Sequence, residues 1–150
     1  MAGNVIYRGP VANEPQTVNQ LVAGAYSPGI LCTSDGATLT VATASDMGER
    51  VYVLSNRRFY DQDVTTAYAS GDTGVAYEPR PGEVYQVRLA NATYAKGDKL
   101  TLDASGYLAK AVDSPAGDVV YAYFDDTAGA VTAGSLKDVV WANAFTMPTA

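Results

Sequence analysis

Apolar and polar residues alternate in short runs at residues 38–43, 50–55, 83–89, 100–103, 119–124 and 137–142. A two-residue period is that of an extended strand with one face inward and one outward. The runs are separated by Ser27-Pro28-Gly29, Ser34-Asp35-Gly36, Arg80-Pro81-Gly82, Lys96-Gly97-Asp98, Ala104-Ser105-Gly106 and Pro115-Ala116-Gly117. Each supplies a proline-fixed φ or a glycine able to take positive φ, as tight turns require. Short strands joined by tight turns restrict the chain to an all-β fold, a small antiparallel β-barrel or sandwich.

Within 83–89, Tyr85, Val87 and Leu89 share one face and are expected in the core, while Val84, Gln86 and Arg88 share the other. Residues 100–111 read as a hairpin, with Leu100 and Leu102 before the turn, Gly106 at a positive-φ position and Leu108 returning. A weak echo of this order, Pro28-Gly29-Ile30-Leu31 followed by Asp35-Gly36 and Leu39, reads as a second hairpin solving the same turn problem rather than as a solenoid repeat. Val18, Leu21, Val22 and Ala25 fall at helical spacing after Asn13-Glu14-Pro15, but residues 18–22 fit a strand equally, and the neighbouring strands favour that reading.

Residues 1–12 form an N-terminal arm and residues 13–150 a single β-domain, interrupted by a long loop at 56–82. The arm segment Asn4-Val5-Ile6-Tyr7-Arg8-Gly9-Pro10 reads either as an extended strand laid along another chain or as a frayed tail, and its removal is expected to leave the domain folded. The loop carries Arg57-Arg58-Phe59-Tyr60-Asp61-Gln62-Asp63 and then Tyr68, with at most one short strand at 64–68. A loop of that length bearing arginines and tyrosines is the best candidate contact surface.

The inventory for catalysis is poor. With His 0, the Ser-His-Asp triad, the Cys-His dyad and histidine-ligated metals are excluded. Cys32, in the apolar run Ile30-Leu31-Cys32, forbids an intrachain disulfide or a thiolate zinc site and reads as a buried, inert thiol. Asp61 with Asp63 and Asp125 with Asp126 are the carboxylate pairs open to a glycosidase-like or calcium reading, but turn carboxylates are the ordinary explanation. No Walker loop or dinucleotide fingerprint occurs. No cofactor is expected. The net charge of −6 argues against nucleic acid as a partner, and no apolar run is long enough for a membrane helix. Lacking a secretion signal at Met1-Ala2-Gly3-Asn4, the protein is expected to be made in the cytoplasm. The 11 tyrosines, against 3 Phe, suit a surface half-buried against a protein or a sugar.

Two blocks carry a family resemblance: residues 25–31 (AYSPGIL) with Asp35-Gly36 and Leu39, and residues 97–108 (GDKLTLDASGYL) with Ala111, followed by Gly117-Asp118-Val119-Val120-Tyr121-Ala122-Tyr123. With the strands at 82–89 and 137–141, they resemble small decoration (cement) proteins of tailed-bacteriophage capsids, over about three quarters of the chain. The resemblance implies a β-tulip-like, non-enzymatic protein on the outer surface of the expanded head. Its partners would be the major capsid protein and itself, as trimers at three-fold and quasi-three-fold sites that bridge capsomers. The residues then expected to contact capsid or a neighbouring subunit are Asn4, Val5, Tyr7, Arg8 and Pro10 of the arm and Arg57, Arg58, Tyr60 and Tyr68 of the loop. The competing reading is a carbohydrate-binding or host-attachment β-module of a virion or secreted protein.

Overall fold

In the computed structural model, which describes residues 4–112 and 117–147, the alternating runs become strands β1 (Thr17–Val22), β2 (Leu31–Ser34), β3 (Thr38–Val41), β4 (Tyr52–Ser55), β5 (Thr73–Tyr77), β6 (Val84–Leu89), β7 (Ala92–Tyr94), β8 (Lys99–Leu102), β9 (Leu108–Lys110), β10 (Val119–Phe124), β11 (Gly129–Val131) and β12 (Ser135–Thr146). They close into two rings. The first has the order β1-β3-β2-β4-β5, and the second β10-β12-β6-β9-β8. β7 and β11 form a separate antiparallel pair.

The second ring repeats the first. In each, the first strand runs parallel to the third, and every other neighbouring pair is antiparallel: β1 beside β3 and β6 beside β9, with hairpins β2–β3 and β8–β9 in equivalent places. The parallel pair refines the antiparallel expectation for a geometric reason. An odd number of strands cannot alternate direction all the way around a closed ring, so one pair must be parallel. The echo between the two glycine-turn blocks therefore marks a duplicated barrel: Gly36 turns the first hairpin at φ 96° and Gly106 the second at φ 77°. Of the Pro115-Ala116-Gly117 turn, Pro115 and Ala116 lie outside the described residues.

Residues 17–22 are a strand, as the neighbouring pattern favoured. The short strand that the alternative reading of the loop allowed at 64–68 is not found. There Asp63 Oδ1 accepts from the Thr65 N–H and from the Thr65 and Thr66 hydroxyls, closing a turn. The strand of this region is β5, nine residues further on by its start. Its signal is masked by Gly74, which is packed so tightly inside the first ring that an added Cβ would stand 2.6 Å from Val22 Cγ1.

Val22, Cys32, Leu39, Tyr52, Leu54 and Ala76 fill the first ring. Burial pushes the Cys32 thiol up to about 12, so it stays protonated. A larger cluster fills the second ring with Tyr85, Val87, Leu89, Leu100, Leu108, Ala122 and Phe124 among its buried side chains, and extends to Leu31, Val53 and Tyr77 on the outer face of the first. β4 is buried on both faces as a result: Tyr52 and Leu54 point into their own ring, Val53 toward the other. The junction is sealed by the backbone, since the Leu31 N–H donates to Gly106 O at 2.9 Å and the Arg88 N–H to Gly29 O at 2.9 Å. The Arg88 guanidinium donates to three carbonyls from separate segments, Pro28, Val64 and Gly134, at 2.7–2.8 Å.

Most of the 11 tyrosines are core residues rather than surface ones: Tyr7, Tyr52, Tyr68, Tyr77, Tyr85, Tyr94 and Tyr121 are all buried. A ring this narrow suits a side chain whose body is apolar and whose hydroxyl reaches a polar partner at the rim. Tyr7, Tyr77, Tyr85 and Trp141 form a contiguous aromatic group with ring centroids 5.7–6.0 Å apart. The Tyr77 and Tyr85 hydroxyls donate to the carboxylates of Glu14 and Glu83 at 2.6 and 2.9 Å.

Two predictions follow from this packing. Gly106→Val adds a β-branched side chain at positive φ whose Cβ would meet Val41 Cγ2 at 2.5 Å and Leu31 O at 3.2 Å. The expected loss is about 2–4 kcal/mol in urea unfolding, and an unchanged midpoint would refute the junction geometry. Burial, then the Glu14 hydrogen bond, raises Tyr77 to about 12; burial raises Tyr94 to about 12 and also raises Tyr85. A phenol in an unfolded chain ionises near 10, so the native state holds these protons more tightly. The stabilisation is fully present below about pH 10 and is lost as pH rises from about 10 to 12. Thermal melts across that window should show a falling midpoint, with a cooperative rise in tyrosinate absorbance from the buried rings at the unfolding transition; a flat profile would contradict the burial.

Candidate functional site

The arm belongs to its own domain. Ile6 and Tyr7 are buried, Tyr7 pairs antiparallel with Tyr85, the Arg8 N–H donates to Val84 O and the Gln86 N–H to Ile6 O. Val5 O accepts from Gln86 Nε2, and Asn4 Oδ1 accepts from the Val64 N–H at 2.9 Å. The arm thus covers the second face of β6, which is why Gln86 is buried although only Tyr85, Val87 and Leu89 were expected to be. Removing residues 2–8 would strip core side chains, contrary to the expectation of an undisturbed domain. Of the arm residues named as contacts, Tyr7 is in the core, whereas Asn4, Arg8 and Pro10 remain exposed. Arg8 Nε lies 3.3 Å from Asp138 Oδ1.

The loop after β4 is built around two buried amides. Asn56 Nδ2 donates to Gln62 O at 2.7 Å, Gln62 Oε1 accepts from the Arg57 N–H at 2.8 Å, and Gln62 Nε2 donates to Thr66 O at 2.9 Å. This network holds a one-turn 3-10 segment, Arg58–Tyr60, which ends at Asp61 in the left-handed region at φ 57°. Tyr68 is not a surface contact. It is 1% exposed, and its hydroxyl donates to Ser55 O beneath the loop. The two arginines are both paired, Arg57 with Asp72 at 3.2 Å and Arg58 with Glu14. The Arg57 guanidinium lies over the rings of both Tyr60 and Tyr68, 5.5 and 5.1 Å from their centroids.

Between this turn and the outer face of β1 and β5 runs a groove of about 650 Å³. Its rim carries Phe59 and Tyr60, which are 94% and 79% exposed. Thr17, Asn19 and Thr73 line its floor, with Asn56 at its inner end. Sequence reasoning named Arg57, Arg58 and Tyr60 but did not select Phe59, the most exposed large apolar side chain of the group. The available signal was the pair Phe59-Tyr60 itself, since adjacent aromatics on a tight turn flanked by charges cannot both reach a core.

The carboxylates considered for chemistry serve the turns. Asp63 caps its own turn, Asp126 accepts from the Thr127 and Asp138 N–H groups, and Asp125 pairs with Lys96. Among the described residues no group of three or more His, Cys, Asp or Glu is arranged to hold a metal ion.

No family model matches the chain, and no curated protein matches it. Among solved structures, the N base of head fiber gp8.5 of bacteriophage phi29 has a similar fold, with a TM-score of 0.54 and 16% sequence identity over 84% of this chain and 92% of that one.

Proposed function

We propose that the chain is a non-enzymatic structural protein of a tailed-phage virion, carried on the outer surface of the head. The observation that supports this reading most is the fold shared with a phage head-fiber base across 84% of the chain. The mechanism is cementing: trimers at three-fold and quasi-three-fold positions bridge capsomers of the major capsid protein, so that modest contacts act together at high effective concentration. Net charge −6 suits a shell exterior, where no affinity for packaged DNA is required. The exposed arm residues Asn4, Arg8 and Pro10 make the capsid contact, on a segment that hydrogen bonds to β6 hold rigid.

The test is cryo-electron microscopy of heads from the phage that encodes the chain. Density for it outside the shell at three-fold positions is the expected result, and heads without it would overturn the proposal. Arg8→Ala combined with Pro10→Ala should lower occupancy severalfold at an unchanged melting temperature. Full occupancy by that variant would move the contact away from the arm.

A further inference from the structure

We infer that the groove between β1, β5 and the Arg58–Tyr60 turn is a binding site for a neutral oligosaccharide. It adjoins the surface proposed to meet the capsid only at Asn4, whose carbonyl faces Asn56 Nδ2 at 3.5 Å. The rim is the first reason. Phe59 exposes nearly its whole ring and Tyr60 most of its own, with the Arg57 guanidinium over it, on a turn fixed by the Asn56 and Gln62 network and by two ion pairs, so two aromatic side chains are held in water outside the core. Such rings offer a face to the apolar C–H side of a pyranose.

The floor is the second reason. Thr17, Asn19 and Thr73 present hydroxyl and amide groups from adjacent strands, whose spacing is fixed by the β1–β5 register. At the inner end, Asn56 has both its orientation and its deficit set by its neighbours. Its Nδ2 faces two carbonyls, Gln62 O at 2.7 Å and Asn4 O at 3.5 Å, so its oxygen must point the other way. That oxygen, buried in a residue 2% exposed, has no hydrogen-bond donor among the described residues. A buried acceptor left unmatched is costly, and because Asn56 itself lines the groove, a hydrogen-bond donor is the group this end of the site lacks.

The layout selects the ligand class. A protein interface places its apolar residues at the centre and polar ones at the rim. Here the most exposed aromatics stand at the rim instead, above a floor that sets Thr17, Asn19 and Thr73 beside Val75 and Tyr77. Arg57 and Arg58 already hold carboxylates, so a charged ligand would have to break an existing pair to gain one. A volume of about 650 Å³ falls within the roughly 300–1,000 Å³ typical of small-ligand sites and has room for a short oligosaccharide.

The experiment uses the full chain without heads, so its outcome is independent of the capsid reading. Cellotetraose, maltotetraose, chitotetraose and a tetragalacturonate are titrated by ligand-observed NMR and calorimetry. At least one neutral tetrasaccharide should bind. Phe59→Ala and Tyr60→Ala should each weaken it about tenfold, as for a central aromatic contact, and the double variant should abolish it. Val112→Ala, at an exposed position outside the groove lining, should leave binding unchanged. Failure of all neutral probes, binding of the acidic probe alone, or undiminished binding by the double variant would each overturn the assignment.

Discussion

A closed ring of four- to six-residue strands encloses too little apolar volume to be stable alone, and the structure depends on how that shortage is met. On the side that meets the second ring, the outer wall of the first ring is itself apolar. Leu31, Val53 and Tyr77 face the second ring's core instead of solvent. The two rings thus share one hydrophobic cluster, and the strands at the junction lack a solvent side. Bringing backbone against backbone there requires residues without a Cβ. Gly29 and Gly106 occupy those points, where an added carbon would stand 2.5 Å from Leu136 Cδ2 and Val41 Cγ2 respectively.

Arg88 secures the same junction by a different route. Its half-buried guanidinium has a lowered affinity for the proton because of that desolvation, and its donors go to main-chain carbonyls of the Gly29 turn, the loop and the segment before β12. A planar fork with fixed donor directions suits three converging carbonyls in a way that a lysine ammonium does not. Because one of the three is Val64 O, the loop that supports the groove is attached to the inter-ring junction. The exposed aromatic edge accordingly inherits the rigidity of the core, although it stands in solvent.

The positions of most strands, and the faces that turn to the core, were legible in the sequence. The alternation at 83–89 placed Tyr85, Val87 and Leu89 inward, and β10 occupies 119–124 with the expected bounds. Three kinds of information were hidden. Gly74 reads as a turn residue because an interior glycine selected for close packing has the same letter as one selected for positive φ. Tyr68 and Tyr7 read as surface residues because a hydroxyl that meets a buried carbonyl cannot be told from one that meets water. The repeated barrel was visible only as the shared order of residues around two glycine turns, since side chains in rings that share a wall answer to different neighbours. At the groove, the charged and aromatic loop was visible in composition, whereas the floor residues Thr17, Asn19 and Thr73 come from two strands more than fifty residues apart.

The pairing of the arm with β6 also sets an order of events during synthesis. Ile6 and Arg8 find their main-chain partners only at Val84 and Gln86. At a translation rate of roughly 5–20 residues per second, some 4–16 s separate the making of one side of that ladder from the other. The strands of the first ring are complete only once Tyr77 has been made, and until the second ring follows, its apolar outer side and the apolar side chains of the arm remain uncovered on the nascent chain. Completion of the second ring is therefore what retires the early, aggregation-prone surface, and a ribosome stalled before β6 would release a half-molecule with that surface still bare.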